Sequence, residues 1–192
     1  MDKKKIIIAV VVIIAIIAAG LLILGSSDIT LQGVGAKVTI PNNYTVDDKG
    51  VASAGDVKIA FIGSADGTNA DVEKFYGAIA KSGNESGYKN YKNGTIGDFK
   101  FQEFSANPKE LKNITTEKVT SGDTTSWTEY PPQMATVGML NDDSVVNMRR
   151  VTFVNTKDNT INDLLIYSNN TNIDLNTPEF DKIINSIAIL EK

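Results

Sequence analysis

Nineteen consecutive residues, Ile6 to Leu24, contain one residue outside the apolar set, Gly20. As a helix rising about 1.5 Å per residue, the run would span about 28 Å, the hydrocarbon thickness of a bilayer. A helix on a soluble domain keeps a polar stripe, and this run has none. Lys3, Lys4 and Lys5 stand directly before it, and Asp28 is the first charge after it. The positive-inside rule therefore predicts a cytoplasmic basic segment (1–5), a transmembrane signal-anchor helix (6–24) and an extracytoplasmic remainder. A cleavable signal peptide is the competing reading, since Gly25-Ser26-Ser27 offers small residues. Its apolar region is usually only about 7–15 residues, so the uncleaved anchor is preferred.

The chain has 192 residues with neither Cys nor His. That excludes disulfides, thiol nucleophiles, Cys/His zinc sites and every Ser-His or Cys-His catalytic pair. Lys plus Arg total 19 against 23 Asp plus Glu, a net charge of −4, so no basic excess is available to hold nucleic acid. No cofactor is expected. Asn occurs 18 times. Five of these residues sit in N-x-S/T sequons and are candidate glycosylation acceptors: Asn43, Asn84, Asn93, Asn113 and Asn169. An Asn- and Thr-rich polar surface accounts for the same pattern without glycans.

Beyond a short tether (25–35), residues 36–192 read as one domain. Strands are expected at Ala36–Ile40, Val51–Ser53, Val57–Ile62, Gly94–Ile96 and Phe99–Ser105, with turn residues between them. Further strands are expected around Val119, Thr124–Tyr130, Met134–Leu140, Val145–Val154 and Thr160–Ser168. A first helix starts at a Thr68 or Asn69 cap, shows Val72, Phe75, Tyr76 and Ile79 on one face, and stops at Gly83. A last helix starts at Thr177-Pro178 and shows Phe180, Ile183, Ile184 and Ile187. The two helices share a pattern, which packing on a common sheet explains without a duplication. The strand lengths from Val119 onward suit an antiparallel meander, and the fold class predicted is α+β: the transmembrane helix, then an antiparallel sheet of six to eight strands with at least two packed helices.

The segment Val38-Thr-Ile-Pro-Asn-Asn-Tyr44 and the closing helix Glu179-Phe-Asp-Lys-Ile-Ile-Asn-Ser-Ile187 resemble the PsbP-like family. That resemblance implies an antiparallel sheet sandwiched by helices, and it carries no function because members of the family do many different things. The anchor joined to an Asn-rich domain is also similar in style to small membrane-anchored archaeal surface proteins.

Chemistry-bearing motifs are few. Ser86-Gly-Tyr-Lys89 has the S-x-x-K spacing of a Lys-activated Ser, but it lies in a polar segment where nothing desolvates the amine. Asp47-Asp48, Asp142-Asp143 and Asp158 to Asp163 could offer oxygen ligands to calcium, yet each falls where a turn is expected. Arg149 and Arg150, the only arginines, are adjacent on a strand and must point to opposite faces. One is expected to be partly buried against a carboxylate. Trp127, Tyr130 and Met134, with Pro131 and Pro132, make the densest aromatic and proline patch. It is either a contact surface or a core strand ended by its prolines. The expected function is a membrane-anchored binding or structural module at the cell surface, held to the membrane through residues 6–24 and facing an envelope protein partner. The alternative is a hydrolase acting on envelope material through carboxylates or the Ser86–Lys89 pair.

Overall fold

A computed structural model describes residues 28–63, 68–121, 124–136 and 143–190. The expected anchor run lies outside these residues, and no helix among them is long and apolar enough to cross a membrane.

Among the described residues the fold is mostly β rather than α+β, with twelve strands against three short to medium helices. The strands form three sheets instead of one. The largest has seven antiparallel strands in the order β3 (Thr45–Val46), β4 (Ala52–Ala54), β5 (Val57–Gly63), β11 (Ile161–Ser168), β10 (Asn147–Asn155), β7 (Phe99–Ala106) and β6 (Lys89–Ile96). A three-stranded sheet combines β1 (Ile29–Gln32), β2 (Ala36–Ile40) and β12 (Ala188–Ile189). A separate ribbon pairs β8 (Ile114–Ser121) with β9 (Thr124–Tyr130). The C-terminal strands do not run on as the expected meander: β8 and β9 pair apart from the seven-stranded sheet, β10 pairs with β7 and β11, and β11 pairs with β5. The helices are α1 (Asn69–Ser82), α2 (Pro132–Thr136) and α3 (Pro178–Asn185).

Three local differences have clear causes. The segment read as a tether contains β1, because Ile29 and Leu31 alternate and Gly33-Val34-Gly35 turns the chain back into β2. The strand expected at Gly94–Ile96 begins earlier, in the polar stretch before it, as β6 starts at Lys89. An edge strand with one wet face shows no apolar alternation to detect. The strand expected at Met134–Leu140 is replaced over its first residues by α2, which Pro132 opens with its preset φ. Residues 137–142 lie outside the described chain.

Period-two alternation divides the seven-stranded sheet between two cores. Val57, Ile59, Val151, Phe153, Leu164 and Ile166 face the three-stranded sheet and α3, meeting Val38, Ile40, Phe180, Ile183 and Ile184. Ile62, Phe104, Met148, Leu165 and Tyr167 face the other way, toward Phe75, Tyr76 and Ile79 of α1 and Ile114 and Tyr130 of the ribbon. The central strand β11 is buried along its whole length. Helix α1 is fixed at its start by a reciprocal cap, in which Asp71 N–H donates to Thr68 Oγ1 and Thr68 N–H donates to Asp71 Oδ2 at 2.9 Å. The Thr68 hydroxyl, donating to Asp71 Oδ2 at 2.7 Å, and the Thr68 N–H hold the Asp71 carboxyl below its usual range.

Candidate functional site

The aromatic patch divides when it folds. Trp127 and Tyr130 lie three residues apart on β9, an odd spacing that sends their side chains to opposite faces of the ribbon. Tyr130 turns inward, 6% exposed, with its ring edge-on to Phe75 at 5.3 Å. Burial and the nearby Asp71 raise its pKa. Trp127 turns outward and is 67% exposed. Met134, on α2, is also largely exposed. Among the described residues the large apolar side chains left in solvent are Val34, Val46, Trp127 and Met134, so half of them fall within one eight-residue segment. Tyr130 therefore belongs to the core, and the surface part of the patch is Trp127 and Met134.

The two arginines do point to opposite faces, and both are paired. Arg149 enters the α3 side, 2% exposed. Its Nε and Nη2 donate to Glu103 on β7 at 2.8–3.1 Å, Nη1 donates to the Leu175 carbonyl at 3.1 Å, and Nη2 reaches Asp181 of α3 at 2.6 Å. Arg150 enters the α1 side. Its Nε and Nη2 donate to the Asp163 carboxylate at 3.2 and 2.8 Å, Nη1 donates to the Met134 carbonyl, and the guanidinium lies 5.7 Å from the Phe75 ring centre. Thr152 Oγ1 donates to Asp163 and shares a 2.8 Å bond with the Tyr76 hydroxyl. Burial lowers the Arg150 pKa, but the charge and hydrogen bond of Asp163 together with the neighbouring Tyr76 and Tyr88 outweigh it, and the net shift is upward. Burial raises the neighbouring tyrosines: Tyr88 reaches about 12 and Tyr76 is raised further. Both clusters are closed structural networks. Their acidic partners on β7, β11 and α3 were not anticipated, although Asp163 inside an otherwise apolar run was a legible signal.

The acidic turns serve the backbone. Asp47 Oδ1 accepts from Lys49 and Val51 N–H at 3.0 and 2.8 Å. Asp158 Oδ1 accepts from Thr160 N–H at 2.9 Å, which lowers its pKa. Asp142 lies outside the described residues, and Asp163 lies in a strand rather than a turn. No group of three or more ligating side chains among the described residues could hold a metal ion. Ser86 and Lys89 share no hydrogen bond; between them Gly87 has φ of +84°, and a Cβ there would lie 2.9 Å from the Glu110 carbonyl oxygen. The backbone carbonyl of Ser86 accepts from Lys112 N–H at 3.0 Å. All five sequon asparagines, Asn43, Asn84, Asn93, Asn113 and Asn169, are exposed. Asn113 donates to Glu129 across the ribbon.

Several depressions mark the surface of the described residues, the widest a shallow one of about 340 Å³ along β6 and β7 at Gly94 and Phe101. One of about 190 Å³ lies between the start of α1 and the sheet, lined by Asn69, Glu73, Lys100, Gln102 and Asn159 among others. Another, about 280 Å³, lies beside the start of β6 and the loop before α3. Comparison with known proteins finds no matching family model and no matching curated protein.

Proposed function

We propose that this chain is a single-pass, membrane-anchored extracytoplasmic protein, with residues 6–24 in the membrane and the β-rich domain serving as a binding module at the cell surface. Its contact surface is the outward side of β9 and α2, and its partner is an envelope protein. The observation that carries this reading is Trp127, a large aromatic side chain left 67% exposed on a ribbon outside both main sheets. Exposed aromatic and Met side chains are enriched at protein contacts, where they supply apolar area at little entropic cost. The likeness to PsbP-like domains is kept as a proposal about fold ancestry, resting on β2 and α3. The exposed sequons support glycosylation as a further part of this reading.

A photo-crosslinking residue placed at position 127 of the full chain in intact cells tests the contact. The expected result is one discrete adduct, absent when the same residue stands at the exposed position 49. Identical patterns at both positions, or none at 127, would remove the binding surface. Protease added outside intact cells should digest the domain, and complete protection would overturn the topology.

A further inference from the structure

The depression of about 280 Å³ sits where β6 starts, β7 ends and the loop 169–177 crosses the end of the sheet. Its walls are held firmly. Asn147 Nδ2 donates to the carbonyls of Asn170 and Ile173 at 3.0 and 3.1 Å, and Arg149 holds the Leu175 carbonyl from beneath. Ser105 Oγ donates to Asn176 Oδ1 at 2.7 Å, while Asn176 donates through both N–H and Nδ2 to Asp174 Oδ1. Across the depression Asn107 Nδ2 donates to Glu110 Oε1 at 2.9 Å. Each carboxylate thus has one oxygen fixed by a carboxamide. Among the described residues no protein donor reaches the other oxygen. Asn90, at φ of +54° where β6 bulges against β7, lines the same space.

We infer that this depression binds a small uncharged polyhydroxylated ligand, a single sugar ring in size. Hydroxyls donate and accept at once, so they match a lining of carboxamides, which do both, and carboxylates, which only accept. Two carboxylates against the lone ammonium of Lys89 disfavour an anion. Half-buried Val146 and Ile173 add apolar surface for the ring's C–H face to the mainly polar lining. The volume falls just under the roughly 300 Å³ at which drug-sized pockets begin, which suits one ring rather than an oligosaccharide. The inference is independent of the Trp127 surface.

The test uses the full chain, ¹⁵N-labelled in detergent, titrated to about 50 mM with methyl glucoside, methyl mannoside, methyl galactoside and N-acetylglucosamine, a range that captures millimolar affinities. At least one sugar should give saturable shifts at the side-chain amides of Asn90, Asn107 and Asn176. Asn176→Ala should weaken that binding about tenfold. Asn90→Gly, outside the bonded network and free to keep the positive φ, should weaken it with little change in the melting temperature, and Asn69→Ala in the depression at the start of α1 should leave it intact. No saturable shift from any of the four sugars would overturn the inference. So would equal affinity in both pocket variants, or the same shifts produced by glycerol or calcium chloride.

Discussion

The two faces of the seven-stranded sheet solve one packing problem with different chemistry. Each takes one of two neighbouring arginines from β10 and pairs it with a carboxylate from an adjacent strand, Glu103 on one side and Asp163 on the other. On the α3 face the pair is fully buried, and the guanidinium donates to two carboxylates and a carbonyl. On the α1 face the surroundings are aromatic and hydroxylated, and Arg150 keeps 11% of its side chain in contact with solvent. The difference shows that strand alternation decides which core a charge enters, whereas the covering layer decides how completely it is enclosed.

That comparison can be broken most sharply at Arg149. Arg149→Met leaves Glu103 buried with only the solvent-exposed Lys92 nearby, and should cost about 3–5 kcal/mol in urea unfolding. Adding Glu103→Leu should recover most of the loss, because a well-packed apolar pair replaces a desolvated ionic one. If the single variant is as stable as the parent, the enclosed network is not structural.

Alkaline titration separates the faces next. Tyr76, Tyr88 and Tyr130 on the α1 side all have raised pKa values, with Tyr88 at about 12, whereas the α3 side has only Tyr44, also raised to about 12 by burial and then by Glu179. The folded state holds these phenols protonated while the unfolded chain ionises near pH 10. Stability is therefore complete below pH 10 and falls as pH rises toward 12. Two units at Tyr88 alone correspond to about 2–3 kcal/mol. Stability unchanged from pH 9 to 12 in urea titrations would contradict this burial.

Arg150→Met should cost less than Arg149→Met, about 2 kcal/mol by the same measurement, because water reaches part of the pair it breaks. A larger loss than at Arg149 would reverse the ranking of the two faces. At the small end, Trp127→Ala should change stability by no more than about 0.5 kcal/mol, as expected of a surface side chain. Because Trp127 is the only tryptophan, the parent's fluorescence should already be solvent-like and open to iodide quenching.

Much of the framework was legible because it obeys simple periods. The 3.6-residue faces of α1 and α3, the β4–β5 hairpin at Gly55-Asp56 and the alternation of β5 all follow from apolar spacing. The division into three sheets was not legible. Pairing partners such as β5 with β11 are set by long-range packing that no local window contains. Short β1, polar β6 and proline-led α2 lie where local propensity is weak or ambiguous. Within the aromatic patch, the three-residue spacing of Trp127 and Tyr130 already implied opposite faces once β9 was recognised as a strand. The carboxamide-lined depression left no contiguous signature, since its residues come from β6, β7, β10 and two loops.

The three-stranded sheet has a consequence for how the chain reaches its final state. In it Lys37 of β2 lies opposite Ala188 of β12, and Thr39 N–H donates to Ser186 Oγ at 2.7 Å. The α3-side core therefore cannot close until the segment 178–189 has left the ribosome. Until then β2, including Val38 and Ile40, has one unpaired edge and an uncovered apolar face. Contacts at such sequence separation are entropically late, so assembly should be slow and its last step should be the docking of this closing segment. During that interval the nascent domain exposes a sticky strand edge to its neighbours, a period in which a chaperone would matter more than at any later time.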